Sequence, residues 1–146
     1  MGILYEYFSA PDDQAAASAF ADGPEDAGFD TVCVKTIEPA VLLGQAVALL
    51  VREPLSRVTG HPRFCHLVTS PEAESVWIAT LPDEVRDALV EASGERLAEI
   101  CIPWSQAEEF HGDADPGRLA DFLDELAALA GRARSHAQGL YCRMVL

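Results

Sequence analysis

The residues best suited to chemistry are concentrated in Pro103–Asp115, PWSQAEEFHGDAD, which holds a tryptophan, two adjacent glutamates, a histidine and two aspartates. Glu108-x-x-His111 has the i, i+3 carboxylate–imidazole spacing of di-iron helical bundles, but such sites need a second Glu-x-x-His, and the chain has none. Asp113-x-Asp115 opens like a calcium loop. The glycine that loop needs at its sixth position is Arg118, and the bidentate glutamate at its twelfth is Asp124, so the spacing fails. Glu108 and Glu109 would project about 100° apart on a helix, too divergent for an acid–base pair on one atom.

Ordinary duties compete for the same residues. Ser105-x-x-Glu108 is spaced as a capping box, and Asp115-Pro116 as an N-cap followed by proline at the first helical position. Trp104 reads either as an aromatic wall or as core, and His111, next to Gly112, either as a ligand or base or as a helix-terminal histidine. The candidate binding residues are therefore Trp104, Glu108, Glu109 and His111, with Tyr141 and the aromatic pair Tyr5 and Tyr7 as possible further walls; no catalytic residue can be assigned.

His61-x-x-x-Cys65-His66 is the second cluster. A strand over Arg63–Thr69 would send Cys65 and His66 to opposite faces, which argues against shared metal coordination or a Cys–His nucleophile. Cys33, Cys65, Cys101 and Cys142 are evenly spread, lack paired C-x-x-C knuckles and lie in apolar surroundings, so four reduced core thiols are expected. Nucleophile-elbow, phosphate-loop, dinucleotide and zinc-protease motifs are absent, and no cofactor is implied.

The chain has 146 residues, 49% hydrophobic and 23% charged, with a formal net charge of −14. The isoelectric point is near 4.4 and mean hydropathy is +0.08. Such a charge repels phosphate backbones and anionic membranes, and is compatible with a basic protein partner. Lys35 is the single lysine. The start MGILYEYFSAP lacks a secretory pattern, and the longest apolar run, Ala40–Val51, is too short to span a bilayer, so a cytoplasmic protein is expected.

The elements that must position these residues form an α+β pattern. Strands are expected over Gly2–Phe8, Asp30–Ile37, Arg63–Thr69, Ser75–Leu81 and the tail GLYCRMVL, the third and fourth forming a hairpin. Helices are expected over Ala10–Asp22 (capped from Ser9), Pro39–Arg52, Pro82–Ala92, Glu95–Ile100 and Pro116–Arg134, with Pro54–Pro62 a loop. The late helix is the clearest, its stripe being Leu119, Phe122, Leu123, Leu126, Leu129, Ala130 and Ala133. The fold expectation is one α+β domain, a small mixed or antiparallel sheet of four or five short strands packed by four or five helices.

Several landmarks together resemble the YfbM-like family of small bacterial proteins: the MGILYEYFSA start, K-x-x-x-P-A-x-x-L at Lys35–Leu43 leading to Leu49-Leu50, EPLSRVTG, L-P-x-E-V-x-x-A-L at Leu81–Leu89, and I-P-W at Ile102–Trp104. The resemblance implies a compact α+β domain and carries no catalytic residue with it; LYCRMVL and EEFHGDAD depart from its pattern. The functional expectation is a non-enzymatic binding or interaction module, acting on a basic protein partner or as a homodimer. The alternative is a small-molecule-binding domain or enzyme with a pocket around Trp104, Glu109 and His111.

Overall fold

The computed structural model describes residues 2–146. Among them the backbone forms six α-helices and one four-stranded antiparallel sheet. The strands are β1 (Leu4–Ala10), β2 (Thr31–Val34), β3 (Val76–Leu81) and β4 (Gly139–Val145), in the order β2-β1-β4-β3. The first and last strands lie side by side in the middle, with Tyr7 opposite Cys142 and Glu6 opposite Arg143. The expected α+β architecture is present.

Period-2 alternation sends side chains to two unequal cores. Tyr5, Tyr7, Val32, Leu140 and Cys142 face the helical layer, which supplies Trp104, Phe122, Leu126 and Leu129. Phe8, Ala10, Ile78 and Tyr141 face the smaller cluster, covered by Ala16 and Ala19 and flanked by Phe29. On that second face Arg143 Nη1 donates to Glu6 Oε1 at 2.5 Å. Its remaining nitrogens donate to the Phe20 and Ala21 carbonyls, tying the following turn to the sheet. Gly23 closes that turn at φ 93°, where a Cβ would sit 3.3 Å from Arg143 Nη1.

The helices are α1 (Asp13–Ala17), α2 (Gly44–Val51), α3 (Leu55–Thr59), α4 (Asp83–Glu91), α5 (Gly94–Trp104) and α6 (Pro116–Ser135). All seven residues of the expected α6 stripe are buried, and Asp115 caps that helix through Gly117 N at 3.1 Å. No helix among the described residues is long and apolar enough to cross a membrane.

Four local expectations are corrected. The first helix is one short turn capped by Asp12, because Ser9 and Ala10 are the buried end of β1. Pro54 is the extended N-cap of α3, a short helix where a loop is expected. Pro103 lies inside α5, in its last turn, so the helix runs on to Trp104. Arg63–Thr69 is not a strand. It lies along the outer edge of β3 with one isolated bridge, Leu67 to Ala79, and both Cys65 and His66 bond Thr80 while Cys65 adopts φ 56°. That bulge breaks the alternation on which the face argument for Cys65 and His66 rests.

Pro39–Leu43 forms a π-helical turn leading into α2. The Glu38 carboxylate accepts from the Ala40, Val41 and Leu42 amides at 2.7, 2.6 and 2.6 Å, satisfying three orphan donors at once.

Candidate functional site

A groove of about 840 Å³ lies between α2 and the end of α5. Ala48 and Leu49 of α2 and Pro103 and Trp104 of α5 give it apolar walls, and Pro54-Leu55 closes one flank. Local sequence accounts for this shape. Arg52 ends α2 in the left-handed region at φ 57°, turning the chain back so that α3 lies across α2. Gly44 permits the seating, since a Cβ there would stand 3.2 Å from Phe64 Cζ and 3.4 Å from Leu55 Cδ1. Arg96 reaches over from α5 to donate to the Leu49 carbonyl at 2.9 Å, fixing the separation of the two helices.

Trp104 is buried and is also part of this wall. Its Nε1–H donates to the Leu42 carbonyl at 2.9 Å, and its ring meets Phe110 edge-on with centroids 5.6 Å apart. Both readings of Trp104 therefore apply. Glu109 is exposed and accepts from Gln45 Nε2 at 2.8 Å, so it abuts the groove through a lining residue. That bond fixes the amide orientation, because the flipped form would set two oxygens against each other. The Gln45 carbonyl oxygen is then buried without a donor, at a cost of about 1–3 kcal/mol.

Glu108 and His111 do not line the groove. Glu108 begins a 3₁₀ turn, Glu108–Phe110, and exposed His111 closes it at φ 54° with its amide on the Glu108 carbonyl. The expected capping box is absent: Ser105 terminates α5, and its hydroxyl donates to the Ile102 carbonyl at 2.7 Å. The helix that Ser105 was expected to begin does not form, because α5 has already run through Pro103.

Tyr141 lies elsewhere. It lines a polar cleft of about 340 Å³ on the far side of the sheet with Asp13, His61, Arg63, Glu84 and Arg86. Tyr5 and Tyr7 are core residues, Tyr7 donating to the Ile37 carbonyl at 2.7 Å. In the cleft, Arg63 grips both Asp13 oxygens at 2.8 and 2.7 Å, and Tyr141 adds a hydrogen bond at 2.8 Å. The Arg63 fork, helped by the Tyr141 hydroxyl and opposed by burial, pulls the Asp13 carboxyl down to about 2, whereas burial first and Asp13 second push Tyr141 up. Neither group is poised to exchange a proton near neutrality. His61 Nδ1 accepts from Arg63 N at 3.0 Å, which assigns the Nε2–H tautomer facing Glu84. These contacts join α1, the Arg63 segment, β4 and α4.

Among the described residues no group of three or more His, Cys, Asp or Glu is placed to hold a metal ion. Cys101 and Cys142 are buried and Cys65 half-buried, as apolar neighbours imply, but Cys33 is exposed on edge strand β2. Burial pushes Cys65 up to about 12 and Cys101 up to about 11, with Glu38 and Asp124 adding to the respective effects.

The groove lining carries Arg52, Arg96 and Glu53, with Arg52 outside any ion pair of the described residues, and charge becomes one-sided only beyond it in sequence. Seven of the nine arginines are held in ion pairs within the chain. By contrast Glu108, Glu109, Asp113, Asp115, Asp121, Asp124 and Glu125 face only Arg118 in sequence, and all seven are exposed and outside any ion pair of the described residues. This acidic run begins next to Ala107, which lines the groove. Exposed apolar residues gather on the same elements: Val41, Val51, Leu55 and Ile102. Gln45 carries no local motif, and Leu49 and Leu55 stand out in sequence only as landmarks of the resemblance; the packing of α2 and α3 is what makes them lining residues.

No protein-family model, no curated protein and no solved structure matches the chain.

Proposed function

We propose that this protein is a binding module that engages a basic protein partner in the cytoplasm, using the Trp104 groove and the acidic run beside it. The observation that carries this reading is the adjacency of the two: an apolar concavity about 840 Å³ in volume whose end at Ala107 continues directly into exposed carboxylates. Apolar patches rimmed by charge are typical of interaction sites, and an acidic field raises the encounter rate with a cationic partner. Arg52 and Arg96 line the groove itself, so the acidic field is that of the run beyond Ala107, where Arg118 is the one arginine among seven carboxylates. Membership of the YfbM-like group is part of the same proposal and rests on the sequence landmarks alone.

The test is affinity capture from the native cell extract with the whole chain as bait, repeated with Asp121, Asp124 and Glu125 changed to the amides. The reading predicts a discrete basic protein that is retained at low salt, released by added salt and lost with the amide variant. Recovery of no partner, or of one indifferent to salt and to the amides, contradicts it.

The volume also lies within the range of small-molecule sites, which supports the alternative of a pocket at Trp104 and Glu109. His111 falls outside that pocket, and the groove opens widely to solvent, so the protein-partner reading is preferred.

A further inference from the structure

We infer that the cleft where the C-terminal end of α6 meets β1 is a ligand site separate from the groove, and that it takes a small molecule bearing a neutral carboxamide. The inference goes beyond the proposed function and stands or falls apart from it. The cleft holds about 240 Å³ and is lined by Ser9, Phe29, Asp30, Arg132, His136 and Gln138, none of which lines the groove. Ser9 is 3% exposed, yet its hydroxyl makes no hydrogen bond among the described residues. Nor is that hydroxyl shut away from the cleft, since Gln45 Oε1 is the buried side-chain atom of the described residues left without a partner. A near-buried hydroxyl open only to a cleft is a group that a ligand completes.

The other free groups select the ligand. Arg132 spends Nε and Nη2 on Asp30 at 2.5 and 3.2 Å, and its Nη1 has no partner among the described residues. His136 Nδ1 lies 2.8 Å from the Arg132 carbonyl, which can only accept, so the neutral ring carries its proton there and offers the Nε2 lone pair. Ser9 O–H and Arg132 Nη1–H call for an acceptor, and His136 Nε2 calls for a donor. A carboxamide supplies its C=O to the first two and its N–H to the third. An anion gains little, because Asp30 already matches the Arg132 charge and the chain carries a net −14. A cation finds the one carboxylate of the cleft taken by Arg132, and the last α6 carbonyls, of Arg132, Ala133 and Arg134, bonded within the chain. Phe29, half-buried and stacked on Phe8 at 5.7 Å, offers its ring to an apolar substituent. Ser9, His136 and Asp30 do not make a hydrolytic triad: no hydrogen bond joins Ser9 to His136, and Asp30 orients Arg132 rather than the imidazole. The site is one for binding.

The probes are benzamide and its isosteric anion and cation, benzoate and benzamidinium. Each is titrated into the intact chain at pH 8 while the backbone amides of Ser9, Phe29 and Gln138 are followed in a nitrogen–proton correlation spectrum. Benzamide is expected to shift all three saturably and to bind about fivefold more tightly than either ion. Ser9→Ala should weaken benzamide about fivefold without lowering the melting temperature, because the hydroxyl it removes has no partner in the free chain. His136→Ala, at an exposed position, should weaken it by a similar factor, and Glu72→Gln, outside the cleft, should leave Kd unchanged. Circular dichroism checks that each variant folds. The inference is overturned if benzamide leaves the three amides unshifted, if either ion binds as tightly, or if Ser9→Ala or His136→Ala binds benzamide as the parent does. A lowered melting temperature for Ser9→Ala also overturns it, since the hydroxyl would then have a structural role. No groove residue is involved, so each of these outcomes is distinct from failure of the basic-partner reading.

Discussion

The Trp104 indole donates to the Leu42 carbonyl at 2.9 Å, bridging the end of α5 to the π-helical turn that precedes α2. One side chain thus closes the core and forms a wall of the groove, and the two helices cannot separate without losing it. Replacing Trp104 by alanine removes a fully buried ring and should cost about 3–5 kcal/mol. Trp104→Phe keeps most of the packing and removes the indole bond to the Leu42 carbonyl, so a smaller loss of about 1–3 kcal/mol is expected. Urea denaturation of both variants measures the difference.

Glu6 and Arg143 form a cross-strand ion pair with side chains about one-tenth exposed. Removing one partner leaves an uncompensated buried charge, so Glu6→Gln or Arg143→Met should each cost about 3–5 kcal/mol. The double replacement Glu6→Leu with Arg143→Met should cost less than the sum of the two single changes. A double-mutant cycle in thermal melts measures that coupling.

Thiol reactivity should be graded. Cys33 is exposed, although burial of its sulfur and the nearby Glu6 and Glu25 carboxylates push it up, so it reacts first but more slowly than a free thiol. Cys65, Cys101 and Cys142 should stay protected in the folded chain. A colorimetric thiol titration at pH 8 should count one sulfur in native protein and four in denaturant.

The Asp13 tie should appear in the acid limb of the stability curve. Its folded carboxyl lies near 2, below the ordinary 3.8, so its contribution is fully present above about pH 4 and is lost as pH falls through about 2. The pair is more than a third exposed, so after screening the contribution is about 0.5–1 kcal/mol. Asp13→Asn should be less stable than the parent by that amount at pH 6, and the two curves should converge toward pH 2.

The legible parts of the sequence were those with a strong period or a local cap. The α6 stripe from Leu119 to Ala133, the Asp115 cap and the terminal strand follow from side-chain spacing, and the strand carrying Tyr5 and Tyr7 from its aromatic content. Proline and cysteine signals misled where tertiary context outweighed them. Pro54 caps the start of a helix and Pro103 fits inside one, Cys65 sits in a left-handed bulge, and Cys33 lies on a sheet edge. Within PWSQAEEFHGDAD the residue types named Trp104 and Glu109, but not their partners, because Leu42 and Gln45 lie more than sixty residues away. The groove is a product of long-range packing.

The central claim is tested most directly by the indole signals in a nitrogen–proton correlation spectrum as a synthetic amphipathic peptide of leucine and lysine, standing in for a basic partner, is added. Trp77 on β3 serves as the internal reference, since it does not line the groove. Occupation of the groove predicts a saturable shift of the Trp104 indole N–H and of the Gln45 side-chain amide, with Trp77 unmoved. Saturation of binding with both Trp104 and Gln45 unshifted would contradict the account.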